Sequence, residues 1–395
     1  NGTGIGGLTN LTGDAVSCVL DGLCQMAERL PDAAPLVLIA SSGKESAASP
    51  RLNKLLHEKI LYAEAMKRGF EFSGRPARVA TMAQAMKDPT ILQSAQPVIL
   101  LGYMKEFLDQ LECDDEGVLT LQGRQVNAAV NDRFCLNVVH RFGNRVDLNR
   151  FQTMNRAFLA GADKGIAYAL LNEFTAKHPQ HACLPSEVSF ARVQNRDELI
   201  ATVQRWRRQG RRPVIKPQGT GLGHGIEMFL DAKESDDHVI RRIDGSLKLT
   251  EEQYGMRGGA FPYTVCEFLD TCTIASQHPL AGHKYELRIV VYRDGMQLKA
   301  FPSIVKIASE KYDAAQPSPL SLINNITASA QAKQASGAEF MLPLCNAETL
   351  ALLGMSEAEL RPLCRAATRF LRHVLDQTQD QPALLGLPTP VTAAV

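Results

Sequence analysis

Pro213-Val-Ile-Lys216-Pro-Gln-Gly219-Thr-Gly221-Leu-Gly223-His-Gly225-Ile-Glu-Met-Phe229 sets a lysine at the end of a short apolar run, with four glycines close behind it. Lys216 can offer an ammonium to a polyphosphate, while Gly219, Gly221, Gly223 and Gly225 let backbone N–H groups approach anionic oxygens without a Cβ in the way. The apolar segments on either side, Val214-Ile215 and Ile226 to Leu230, predict two strands joined by the glycine loop. No helix is expected directly after the loop. That argues against a Walker loop and against the dinucleotide fingerprint, both of which pass from strand to helix. The alternative is an ordinary hairpin loop, with His224 an exposed loop residue.

The neighbouring segments add an order of elements. Asp163-Lys164-Gly-Ile-Ala-Tyr-Ala-Leu-Leu171 reads as a helix start carrying a lysine, and a polar stretch leads from it to Cys183-Leu-Pro-Ser-Glu-Val188. Tyr263-Thr-Val-Cys-Glu-Phe-Leu-Asp270 reads as a strand ending in acidic residues. Lys284 to Arg293 alternates, and Asp294-Gly295 turns it into Leu298 to Ile307, because Asp-Gly supplies the positive φ of a tight hairpin. In this order the chain resembles the ATP-grasp superfamily, and Ile215-Lys216-Pro217, Glu286-Leu-Arg288 and Leu322-Ile-Asn-Asn325 look like its tubulin tyrosine ligase-like, carboxylate-amine ligase branch. The likeness covers roughly residues 150 to 330.

The resemblance implies an α/β N-terminal domain over 1–145, followed by α+β ATP-grasp lobes over 146–395 with a nucleotide lid at about 180–270. It implies ATP and Mg²⁺ as cofactors, and phosphorylation of a carboxylate followed by attack of an amine on the acyl phosphate. Lys164 and Lys216 would hold the α and β phosphates, with the Gly219 to Gly225 loop as lid. Glu267, Phe268 and Leu269 would line the adenine, with Glu267 or Asp270 near base or ribose. Arg288 would face the γ-phosphate, a task suited to a planar, permanently charged fork. Lys306 on the partner strand and Asn325 in the following loop would complete the site. Each has a plainer alternative: Lys164 as a solvated first-turn residue, Arg288 in a sheet salt bridge with Glu286 or Glu267, Asn325 as a turn residue.

The chain departs from that branch near its end. Divalent cations need oxygen ligands, which the resemblance would place as an acidic residue after an apolar strand and then Glu-x-Asn. A helix through Leu360, Leu363, Cys364, Ala367, Phe370 and Val374 and a lead-in at Ala383 to Leu387 fit, but Pro388-Thr-Pro-Val-Thr-Ala-Ala-Val395 holds no such pair. The C-terminal metal-binding strands are therefore expected to be missing, through truncation or degeneration, and the expected behaviour is nucleotide binding with feeble turnover. A kinase on the same scaffold and a non-catalytic nucleotide-binding protein are the rival readings.

The balance of 43 basic against 42 acidic residues gives no polyanion-wide field, so nucleic acid is not an expected partner. The run Arg205, Arg207, Arg208, Arg211 and Arg212 closes a helix starting near Asp197 and reads as a solvated face. No apolar stretch reaches the ~20 residues that span a bilayer. Nine scattered cysteines, without Cys-x-x-Cys or zinc spacing, fit reduced thiols in a cytoplasm; Cys266 reads as apolar filling, Cys183 as no nucleophile, and His178 with His181 as no metal site. Towards the N-terminus, Leu36 to Ala40 and Pro97 to Leu101 predict strands. A helix through Val16, Val19, Leu20, Leu23 and Met26 precedes them, and one through Leu52, Leu55, Leu56, Ile60 and Ala63 is expected to stop at Lys67-Arg68-Gly69. Gly2 to Gly7 reads as a loop. Arg124, Asn131, Asp132 and Arg133 are candidates for a carboxylate substrate or for plain surface charge, and 309–320 and 331–343 read as loops.

Overall fold

The computed structural model describes residues 13–41, 50–131, 133–154, 157–181, 183–185, 187–220, 223–254, 261–275, 278–295, 297–314, 317–322 and 340–380. The Gly2 to Gly7 stretch, Asp132, Gly221, Asn325 and the Ala383 to Leu387 lead-in lie outside them. The chain forms two compact units, one of Asn1–Leu159 with Tyr292–Lys299 and Thr378–Val395, the other of Ala160–Val291 with Ala300–Gln377.

The first unit is α/β, as expected. Its elements are α1 (Gly13–Glu28), β1 (Leu36–Ser41), α2 (Pro50–Phe72), β2 (Arg78–Thr81), α3 (Met82–Lys87), β3 (Val98–Tyr103), α4 (Met104–Gln110), β4 (Leu111–Cys113), β5 (Leu119–Leu121), β6 (Arg124–Val130), α5 (Phe134–Phe142) and β7 (Gln152–Thr153). The sheet runs β2-β3-β1-β6-β5-β4, with β7 also on β6. β1 lies parallel to β3 and β6, and all six of its residues are buried, as a strand covered on both faces must be.

One expectation fails here. Gly69 does not end its helix, because α2 runs on to Phe72. A Cβ at Gly69 would stand 2.1 Å from the Cys24 carbonyl oxygen, so the glycine serves the close crossing of α1 and α2. Arg124 and Asn131, weighed as readers of a carboxylate or as surface charge, are both tied to the backbone. The Arg124 guanidinium donates to the carbonyls of Ala34, Leu92 and Gln96, and Asn131 donates to Ala40 O at 2.8 Å, so both satisfy buried backbone acceptors. Arg133 lies over the Phe158 ring. Arg75 has a comparable role, donating to the Ala27 and Glu28 carbonyls at the end of α1 and to those of Leu30 and Asp32 just after it.

The second unit begins within α6 (Phe158–Ala162) and holds α7 (Lys164–Lys177), β8 (Phe190–Val193), α8 (Arg196–Arg208), β9 (Pro213–Pro217), β10 (Glu227–Met228), α9 (Asp236–Tyr254), β11 (Tyr263–Glu267), most of β12 (His283–Asp294) and of β13 (Gln297–Lys311), α10 (Pro319–Leu322), β14 (Met341–Pro343), α11 (Ala347–Leu353) and α12 (Glu357–Asp380). One sheet runs β10-β9-β11-β8, all antiparallel, and another runs β12-β13-β14. β9 and β10 pair on either side of the glycine loop, as the sequence predicts, although β10 is only Glu227–Met228. The first core gathers Leu199, Val203, Trp206, Ile215, Phe229, Val239, Ile243, Tyr263 and Val265; the second gathers Ile274, Val305, Ile307, Phe340, Leu344, Leu353 and Leu360.

The expected loops are partly regular: β13 continues to Lys311, α10 begins at Pro319, and β14 closes 331–343. The arginine run is only partly a solvated face: Arg205, Arg208 and Arg211 are exposed, Arg207 and Arg212 are not. The Arg207 side chain is only 7% exposed and pairs with Asp236 at 3.2 Å, while Arg211 lies over Trp206 and Arg212 over Phe268. Arg211 and Arg212 thus set their cations over aromatic rings, while Arg207 ties α8 to the Asp231–Asp236 segment. His178 and His181 pack with His373 around the Phe174 ring.

Candidate functional site

Strand alternation decides which side chains share a face. On β9 and β11, Ile215, Tyr263 and Val265 turn into the core, so Lys216, Thr264 and Cys266 turn the other way. Register then aligns Arg192 with Thr264 and Thr264 with Lys216, making one cross-strand row with a cation at each end. The next row is Phe190, Cys266 and Val214.

Helix α7 supplies the groups that meet this face. Asp163 caps it, accepting from Gly165 N at 2.9 Å and Ile166 N at 3.2 Å, and its second oxygen accepts from Arg192 Nε at 2.7 Å. Asp163 is thus buried and fully engaged. Gly165 makes that pair possible, since a Cβ there would lie 3.1 Å from Arg192 side-chain carbons. Of the two cations in the row, Arg192 receives the carboxylate and Lys216 does not.

Lys216 Nζ donates instead to the Tyr168 hydroxyl at 2.8 Å, and lies 5.5 Å from the centre of that ring. Lys164, one turn before Tyr168 on α7, donates to Gly161 O at 3.1 Å. Neither lysine has a carboxylate partner among the described residues. Burial, then repulsion from Lys216, pulls the Lys164 ammonium below its usual value against the attraction of Asp163. The residue as a whole keeps an exposed surface, so this reflects crowding around the ammonium and not a dry interior. Burial likewise pushes the Tyr168 phenol up. At Lys216 burial acts downward, but the Cys266 and Tyr168 groups that face it shift the ammonium upward on balance.

The glycine turn closes on the same place. Gly219 N donates to Ala162 O at 3.0 Å, tying the turn to the residue just before the α7 cap. Gly219, Gly223 and Gly225 have φ of 67, 78 and 72°, the left-handed region where glycine carries no Cβ penalty. Gly225 is also packed, because a Cβ would lie 2.4 Å from Thr250 Oγ1, and its carbonyl accepts from Ser246 Oγ at 2.6 Å. The turn is therefore anchored at both ends, next to the start of α7, and the Lys164 and Lys216 ammonium groups come close enough there to repel each other. Such an arrangement suits an anion with several oxygens.

The remaining sequence candidates are spread more widely. Phe268 N donates to Arg212 O at 2.8 Å, Glu267 is half-buried at the end of β11, and Leu269 is exposed. Asp270 pairs at 2.6 Å with the buried Lys284, whose ammonium also lies 4.0 Å from the centre of the Tyr312 ring. Arg288 and Lys306 belong to the other sheet. Lys306 holds Glu286 at 2.8 Å, which leaves Arg288 half-buried with no ion pair or hydrogen bond among the described residues. Burial pulls its guanidinium down, partly offset by Glu286. For Mg²⁺, no group of three His, Cys, Asp or Glu side chains placed to hold a metal occurs among the described residues. Asp163, Asp270 and Glu286 are each committed to a cation, so these residues do not fit a protein-held magnesium. Tyr168 and the Asp163–Arg192 pair were not among the sequence candidates. The available signal was the Lys164, Tyr168 spacing of one helical turn behind an Asp cap.

No protein-family model matches the sequence, and no curated protein matches it. The chain is similar to D-alanyl-alanine synthetase A of Vibrio cholerae O1 biovar eltor, with 8% identity, 87% of this chain and 82% of that one covered, and a TM-score of 0.41. It is similar to a proposed gamma-glutamylcysteine synthetase of Methylobacillus flagellatus KT, with 13% identity, 96% and 84% covered, and a TM-score of 0.43. It is also similar to the biotin carboxylase domain of the Hydrogenobacter thermophilus 2-oxoglutarate carboxylase, with 11% identity, 85% and 70% covered, and a TM-score of 0.37. Likeness of shape does not fix chemistry, so the functional reading rests on the residues themselves.

Proposed function

We propose that this chain is an ATP-dependent ligase that joins a small-molecule or peptide carboxylate to an amine. The observation that carries the reading is the pair Lys164 and Lys216, two ammonium groups close enough to repel each other and without a salt-bridged carboxylate among the described residues, at a helix N-terminus beside a glycine turn. A polyphosphate is the anion that such a receptor suits. In this reading Lys164 and Lys216 hold the phosphates and the turn from Gly219 to Gly225 covers them. Glu267 to Leu269 line the base, and the sheet from Phe190 to Glu267 is the nucleotide lid lobe. Arg288, a half-buried cation on β12 with no ion pair among the described residues, neutralises charge on the phosphoryl group as it transfers.

The chemistry is an attack of the carboxylate oxygen on the γ-phosphorus with loss of ADP, then attack of the amine on the acyl carbon with loss of phosphate. No step is routed through a metal. The test is calorimetric titration of ATP and ADP into the wild type and Lys216→Ala, with ADP release assayed against a panel of carboxylates and amines. Lys216→Ala is expected to weaken ATP by roughly 1.5 to 3 kcal/mol, as for loss of a charge-assisted hydrogen bond. Unchanged affinity would sink the site. ADP release that ignores every amine would point to a kinase instead.

A further inference from the structure

We propose that Tyr168 is a positioning residue of this site: its phenol oxygen accepts from Lys216 Nζ and fixes that ammonium opposite Lys164 while adding no negative charge. The inference rests on the nucleotide reading above and extends it. The row Arg192, Thr264, Lys216 poses the same problem twice, a cation on a sheet face met by α7, and the chain solves it in two ways. Arg192 receives a carboxylate at 2.7 Å and is neutralised. Lys216 receives a phenol at 2.8 Å and keeps its full charge.

A carboxylate at position 168 would hold Lys216 as firmly but would cancel half of the charge that the lysine pair presents. A phenylalanine would keep the ring and release the ammonium. Tyrosine alone does both tasks, because its ring packs while its oxygen accepts. The ring is itself held, 5.9 Å from that of Phe190 and one helical turn from Lys164. Cys266 Sγ, 4.0 Å from the phenol oxygen, offers only a weak contact, so Lys216 is the main partner of that oxygen.

A double-mutant cycle of Tyr168→Phe and Lys216→Ala tests the inference, read as ATP, ADP and inorganic triphosphate affinity. Tyr168→Phe is expected to weaken ATP about tenfold in the wild-type background and to have no further effect once Lys216 is alanine. An equal loss in both backgrounds, or no loss in either, overturns it, since a packing role would not depend on Lys216. A second readout needs no nucleotide: acetylation of Lys216 by acetic anhydride, followed by mass spectrometry. That rate is expected to rise in Tyr168→Phe, and an unchanged rate also overturns the inference. If the wild type binds none of the three anions while the acetylation rate still depends on Tyr168, the nucleotide reading falls and the tether of Lys216 stands.

Discussion

His373 is a single side chain whose environment sets a pH dependence. It packs against the Phe174 ring, and its Nε2 is buried with no hydrogen-bond partner among the described residues, 3.8 Å from Glu173. Burial holds its pKa below the usual histidine value of 6.5; Glu173 opposes this, Lys177 and His178 add to it, and Asp376 opposes it. With the folded value depressed, the unfolded chain binds more protons just below pH 6.5, so stability present above that pH is lost as the pH falls towards the folded value. Glu173 acts in a lower window, because its own pKa is held below 4.5, first by Lys177. The expected outcome is a melting temperature that declines between about pH 7 and 5, and a shallower decline in His373→Leu. Parallel profiles for the two proteins would show that this ring is not the group responsible.

Two glycines within helices separate close approach from mere permissiveness at the scale of elements. Gly69→Ala is expected to destabilise by about 1 to 3 kcal/mol, because the new Cβ would meet the Cys24 carbonyl and force α1 away from α2. Gly245→Ala, in α9 with open space around the added carbon, is expected to stabilise by about 0.5 to 1 kcal/mol. Urea unfolding midpoints decide both, and the same sign for the two would refute the packing argument. Gly69 also shows where sequence reading stops, since a terminating glycine and a crossing glycine look alike until the partner helix is placed. Hairpins were legible because their signals are local: Asp294-Gly295 and the glycine loop each turn one alternating run into the next. The end of β13 was not, because Ala308 to Lys311 lack a clear apolar alternation and are held by tertiary pairing such as Tyr312 N to Gly282 O. At the site, Lys164, Lys216 and the glycines could be read from composition and order. Asp163 choosing Arg192 and Tyr168 choosing Lys216 depend on a cross-strand register that no local pattern prints.

For the whole molecule, near-equal numbers of basic and acidic residues leave recognition to local arrangements like the lysine pair, and among the described residues no helix is long and apolar enough to cross a membrane. All the described groups of the proposed nucleotide site lie in the second unit. Saturating ATP is therefore expected to slow hydrogen exchange across the α7 start, β9 and the described parts of the glycine turn, while β1 and β3 exchange as before. Uniform slowing, or none, would place the ligand elsewhere. The chain passes from the first unit to the second after Leu159, returns for Tyr292–Lys299, and passes back at Ala300. Gln25 Oε1 accepts from Gly295 N at 3.0 Å and Arg29 donates to Gly295 O at 3.1 Å, so the tip of the β12–β13 hairpin is fastened to α1. No single cut in the gene could then yield both units with all their parts. Swapping the second unit into another protein would carry away a piece of the first, so lineages would be expected to inherit the two together and not shuffle them as separate modules.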